Sequence, residues 1–219
     1  MDHNRNLKLS WVRTGWVCGF LGVAAYLAAI FAPLPDTLGY VAAFSFGPLL
    51  AVAAIGLYHC LSLHRNGPLV QIAALFASAG GVTVLLMLST QQAIFSTMRS
   101  AVSQATDPSS KEMYGKIREG LNGVQLGMDV AWDVLITVAV ILFGVAMLRH
   151  PRFGKIIGSL GILLATLALV FNLYYFPIPP GEAGSIDWGP FVALWFVAVF
   201  VMMIRAEKWA RTLSPVGDK

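Results

Sequence analysis

The chain has 219 residues, 57% of them hydrophobic and only 12% charged, and carries a formal net charge of +4; its mean hydropathy is +0.71. That balance excludes an ordinary water-soluble domain. Too few residues lie outside apolar stretches to build a second, soluble unit, and the basic residues are distributed as membrane topology and not as a nucleic-acid surface.

A bilayer core roughly 30 Å thick takes about 20 mostly apolar residues per helix. Six stretches qualify and predict spans over residues 14–32, 38–61, 68–90, 126–148, 156–176 and 188–204 of one all-α domain, 1–219. Arg5, Lys8 and Arg13 precede the first span and Arg65 follows the second; Arg149, Arg152 and Lys155 follow the fourth, and Arg205, Lys208, Arg211 and Lys219 follow the sixth. That puts 11 of the 15 Lys and Arg on one side, which the positive-inside rule makes cytoplasmic, with both termini. The basic start and apolar run also have the form of a signal peptide ending near Ala28-Ala29-Ile30-Phe31-Ala32. A retained span is preferred, because the segment resembles a later one.

In the first span Gly15, Gly19 and Gly22 have the spacing of Gly154, Gly158 and Gly161 in the fifth. Pro33-Leu34-Pro35 is echoed by Pro177-Ile178-Pro179, and Phe46-Gly47-Pro48 by Trp188-Gly189-Pro190. Related first and third hairpins flanking a distinct central one would account for this; so would the frequency of glycine and proline in membrane helices. Small residues at i, i+4, i+7 let helix backbones approach closely. Pro48 is expected to kink its helix by removing a backbone bond.

The connection over residues 91–125 is too long for a tight turn, and Ile94, Met98 and Ala101, then Met113, Ile117, Leu121 and Val124, recur at helical spacing. This predicts a helical hairpin projecting on the outer side between spans three and four, with an amphipathic segment lying on the outer leaflet as the alternative. Thr106-Asp107-Pro108 would end its first helix. Ser109-Ser110-Lys111-Glu112 has the spacing of a capping box and would start the second.

The second helix carries a polar stripe of Arg118, Asn122, Gln125, Asp129 and Asp133, within an arc of roughly 80° at 100° per residue. Asp129 falls near the outer interface and Asp133 roughly 6 Å deeper. Under the same topology Gln91, Gln92, Asn172 and Tyr175 lie at similar depth, while the inner halves of spans four to six are almost uniformly aliphatic. The expectation is an outward-facing vestibule of Asp133, Asp129, Gln125, Gln91, Gln92, Asn172 and Tyr175. With carboxylates, amides and no intramembrane cation, it suits binding or transport of a small cationic or polar ligand; without pseudo-inverted halves or a broken midplane helix, binding is better supported than translocation. Helix-end hydrogen bonding for the aspartates and an aromatic belt for the tyrosines would account for the same residues. Two further readings compete with ligand binding: a structural role in which the hairpin engages a membrane-protein partner, and, least favoured, a membrane enzyme.

Cys18 and Cys60 are too few for a disulfide framework and are expected to be reduced. His59, Cys60 and His64, with His150 and His3 elsewhere on the inner side, raise metal or haem ligation, but a structural zinc needs four ligands and a haem needs facing ones. No cofactor, metal or nucleic acid is expected, and no nucleophile and base stand at a recognisable spacing. Trp11, Trp16, Trp188 and Trp209 sit near predicted membrane boundaries, where indole rings prefer to lie.

Phe46-Gly47-Pro48-Leu49-Leu50 through Gly56-Leu57-Tyr58, Gly144-Val145-Ala146-Met147-Leu148-Arg149 and Pro190-Phe191-Val192-Ala193-Leu194-Trp195 resemble a group of uncharacterised bacterial six-span membrane proteins, domain of unknown function 4386-like. The resemblance implies six helices and a bacterial inner-membrane location, and supplies no catalytic residue. The long outer hairpin departs from that plan.

Overall fold

A computed structural model describes residues 2–212, which form six helices: α1 Asp2–Phe31, α2 Asp36–Ser62, α3 Pro68–Gln104, α4 Pro108–Met147, α5 Gly154–Tyr175 and α6 Gly189–Thr212. All six are long and apolar enough to cross a membrane, so the architecture is that of a multi-pass membrane protein. Lys219 and the His3 side chain lie outside the described residues.

Several helices run past the apolar stretches that predict them. α1 continues back through the basic N-terminal segment because Leu9 and Val12 are buried there and the Arg5 guanidinium donates to the Ala210 carbonyl of α6. α3 and α4 reach 37 and 40 residues, well beyond the roughly 20 a bilayer core needs, and residues 105–107 join them. The start of α4 differs from the capping-box expectation. Asp107 is the N-cap, with Pro108 in the first helical turn; its carboxylate accepts from the Ser110 N–H at 2.8 Å and from the Ser109 and Ser110 hydroxyls. A carboxylate satisfies these free N–H groups more strongly than a hydroxyl, and Glu112 pairs instead with Lys116 at 2.7 Å.

Each helix packs on the next, and α6 returns to α1, closing a ring. Leu57, Cys60, Phe143, Met147, Trp195, Phe200 and Met203 fill its core. Glycines set the close approaches: Gly15 of α1 faces Gly56 of α2, Gly47 of α2 faces Gly81 of α3, and Gly144 of α4 faces Gly158 of α5. α6 is held by rings seated on glycines. A Cβ on Gly19 would fall 2.5 Å from Phe200 Cζ, and one on Gly161 2.6 Å from Trp195 Cε2; the Trp195 indole also donates to the Ile157 carbonyl at 2.9 Å.

The echoed glycines therefore do not make echoed contacts. Gly19 receives an aromatic ring while its counterpart Gly158 meets a backbone, and Gly154 sits at φ +71° at the start of α5 with open space around it. The shared spacing reflects a common demand for smooth helix surfaces, met against different neighbours. α2 runs through Pro48 as one helix.

Candidate functional site

Along α4 the polar stripe passes from exposed Asn122 to half-buried Gln125, Asp129 and Asp133. Asp133 is where the ring closes around it. Asn172 of α5 donates its amide to Asp133 Oδ2 at 2.7 Å, and the Thr137 hydroxyl donates to the Asp133 backbone carbonyl at 2.6 Å, satisfying itself on its own helix. The carboxylate borders a cavity of about 70 Å³, with Phe46, Trp132, Phe196 and Phe200 among its walls and residues from α1, α2, α4, α5 and α6 around it. That is several times the smallest space that holds one water. Asp133 is its one ionisable lining group among the described residues, and the buried Trp132 indole N–H has no partner there.

A carboxylate in such a place is costly unless it is paired, hydrated or protonated. Asn172 supplies one neutral hydrogen bond and leaves acceptor capacity free. Aromatic faces beside an anion are the surroundings that favour an organic cation, whose charge meets the carboxylate while its carbon atoms meet the rings. Two more carboxylates interact electrostatically with Asp133, Asp129 and Asp187. Asp187 is exposed and caps α6 by accepting from the Gly189 N–H at 2.9 Å, whereas Asp129 makes no side-chain hydrogen bond among the described residues.

The seven expected residues do not form one vestibule. Asp133 and Asn172 come together. Gln91 and Gln125 line a second, separate groove of about 320 Å³ with Asn122, Ile94, Pro177 and Glu182, where the Gln125 amide reaches Met87 Sδ at 3.5 Å. Eight residues of helix separate Gln125 from Asp133, about 12 Å of rise, so sharing a face did not bring them to one small cavity. Gln92 is half-buried outside both spaces. Tyr175 packs against Phe171 and Tyr174, with ring centroids 6.2 and 5.0 Å away.

Glu207 was missed by sequence reasoning. It lies at the termini end of α6, 8% exposed, accepting from the Trp16 indole at 2.9 Å and from Arg211 Nη2 at 2.7 Å and Nε at 3.2 Å. The Glu207/Arg211 spacing was readable, but an exposed helix pair has the same spacing, and only Trp16 from α1 makes the difference. The histidines and cysteine at this end also separate: Cys60 is in the core, His59 stacks on Trp11 at 5.6 Å, and His64 meets His150 at 5.4 Å. Among the described residues no group of three or more His, Cys, Asp or Glu is arranged to hold a metal.

No family model matches the chain, and no curated protein or solved structure does so either.

Proposed function

We propose that the protein binds a small organic cation or hydrogen-bond donor in the ring cavity, with Asp133 as its anionic anchor, Asn172 orienting that carboxylate, and the walls of Phe46, Trp132, Phe196 and Phe200 receiving its apolar part. The observation that carries this reading is a carboxylate bordering an aromatic-walled cavity with an amide, and no cation, as its side-chain partner. The distribution of Lys and Arg supports the orientation that goes with it, termini in the cytoplasm and the α3–α4 hairpin outside, and the resemblance to six-span proteins supports a bacterial inner membrane.

Titration of the detergent-solubilised protein with methylammonium and ethylammonium chlorides, against sodium chloride at equal ionic strength, tests it. The alkylammonium salts should raise the thermal midpoint of wild type, and Asp133→Asn should lose most of that rise. Equal responses in the two proteins would sink the reading. Orientation is checked separately, by labelling a cysteine placed at Ser110 from outside intact cells.

A second reading, docking of the hairpin on another membrane protein, is favoured by one observation. Phe95, Met113, Ile117 and Val124, on the part of α3 and α4 assigned to the outer hairpin, expose 62, 51, 43 and 60% of their surface, more apolar area than an isolated polar-facing hairpin needs. Photo-crosslinkers at residues 96–120 should capture a protein in native membranes; harmless deletion of the segment would count against it.

A further inference from the structure

A groove of about 500 Å³ opens at the opposite end of the bundle from the Asp133 cavity, between the α2–α3 and α4–α5 links. Its polar lining is His64, Arg65, Asn66, Arg149 and His150, together with the start of α3 at Gly67. Among the described residues no carboxylate borders it. Among the described residues neither Arg65 nor Arg149 forms an ion pair, whereas the neighbouring Arg152 lies over the Trp209 ring at 5.4 Å.

Two features of the groove go beyond basic residues marking a membrane side. The first is α3, a 37-residue helix that begins here with Gly67 as N-cap, no side-chain cap and no acidic residue in its first turn, leaving N–H groups and the positive end of the helix dipole uncompensated. The second is His150, 3% exposed. Its Nδ1 accepts from the Arg152 backbone N–H at 3.2 Å, which puts the proton of the neutral ring on Nε2, and that buried Nε2 has no partner among the described residues. Two free guanidiniums, an uncapped helix start and an unused imidazole N–H are all donors, and a phosphate group is an acceptor able to take several of them at once.

We propose that this groove binds a phosphate group, held by Arg65 and Arg149 with His150 as a neutral donor and the α3 N-terminus beside it. The phosphate is either the headgroup of an anionic phospholipid or a free phosphate, and both present the same acceptor oxygens. The site is independent of the cation cavity, so either reading stands if the other fails.

The test follows the thermal midpoint of the full chain in neutral detergent in two arms. One adds inorganic phosphate against chloride at equal ionic strength; the other dopes the micelles with phosphatidylglycerol against phosphatidylcholine. Wild type should be stabilised in at least one arm, and the Arg65→Gln/Arg149→Gln variant should need roughly tenfold more of the same additive. An Arg205→Gln/Lys208→Gln control, with equal charge removed outside the groove lining, should respond like wild type. A response to inorganic phosphate assigns a free phosphate, and a response to phosphatidylglycerol alone assigns the headgroup. If neither arm stabilises wild type, or if the two double variants weaken equally, the proposal is overturned. Arg149→Gln alone gives the same readout should the double variant fail to fold.

Discussion

Asp133 and Glu207 are both withdrawn carboxylates that accept a hydrogen bond from another helix, yet they are compensated in opposite ways. Glu207 has a guanidinium from its own helix and an indole from α1, filling both oxygens. Asp133 has one neutral amide and a cavity. A carboxylate whose charge is matched inside the protein holds the structure together, and its removal strands its partners. One whose charge is not matched adds little to the fold and is available to something from outside. The two acids differ accordingly, Glu207 tied into the contact of α6 with α1 and Asp133 left with an amide and a cavity.

The sharpest way to break this contrast is Glu207→Ala. It leaves the Trp16 indole and Arg211 without their acceptor and should lower stability by about 2–3 kcal/mol, toward the lower end for a buried pair because Arg211 is half exposed; chemical denaturation in mixed micelles measures it. A loss below about 0.5 kcal/mol would make the two acids equivalent.

Acid comes next, through His150 at the termini end. Burial, and then the neighbouring His64, push its imidazole down from 6.5 to about 4. The unfolded chain therefore binds the proton first. Stability is full above about pH 6.5 and declines as pH falls toward about 4, by about 3 kcal/mol at most. His150→Gln should flatten that slope in a stability series across the interval; an unchanged slope would place the titration elsewhere.

Asp133→Asn should change stability by no more than about 1 kcal/mol, since an amide oxygen still accepts from Asn172, while cation binding is lost. A stability loss matching Glu207→Ala would make Asp133 a structural group. The smallest effect belongs to Asp129→Asn, below about 0.5 kcal/mol and without loss of alkylammonium binding; if it abolished binding, the site would extend a turn toward the hairpin end.

The six helices were legible because hydropathy over about 20 residues is a property of a segment alone. Asp133 stood out for the same reason, as a charge in an apolar run. Depth grouped Asn172 with it, but the hydrogen bond between residues 39 apart was not legible, because it depends on how α4 and α5 rotate when Gly144 and Gly158 meet. Gln91, grouped with Asp133 by depth, and Gln125, grouped with it by helix face, line a groove of their own, because depth and angular position on one helix do not say which neighbouring side chains converge on one space. Glu207 drew no notice among the basic residues after the sixth span, because its partner Trp16 lies on α1, 191 residues away in sequence, and only the return of α6 to α1 brings the two together. Asp107 was passed over as a breaker although its carboxylate caps the helix that follows.

The seating of Phe200 on Gly19 and of Trp195 on Gly161 has a bearing on biosynthesis. α6 is the last of the six helices to be made, and it brings Val192, Phe196 and Phe200 to the wall of the cavity. Before it is in place that part of the wall is missing, and a carboxylate left open on an apolar helix has to face hydrocarbon or keep water within the bilayer. An intermediate of five helices is disfavoured by the residue that distinguishes the finished protein, and insertion of α6 is pulled forward by shielding that charge as well as by burying its own rings.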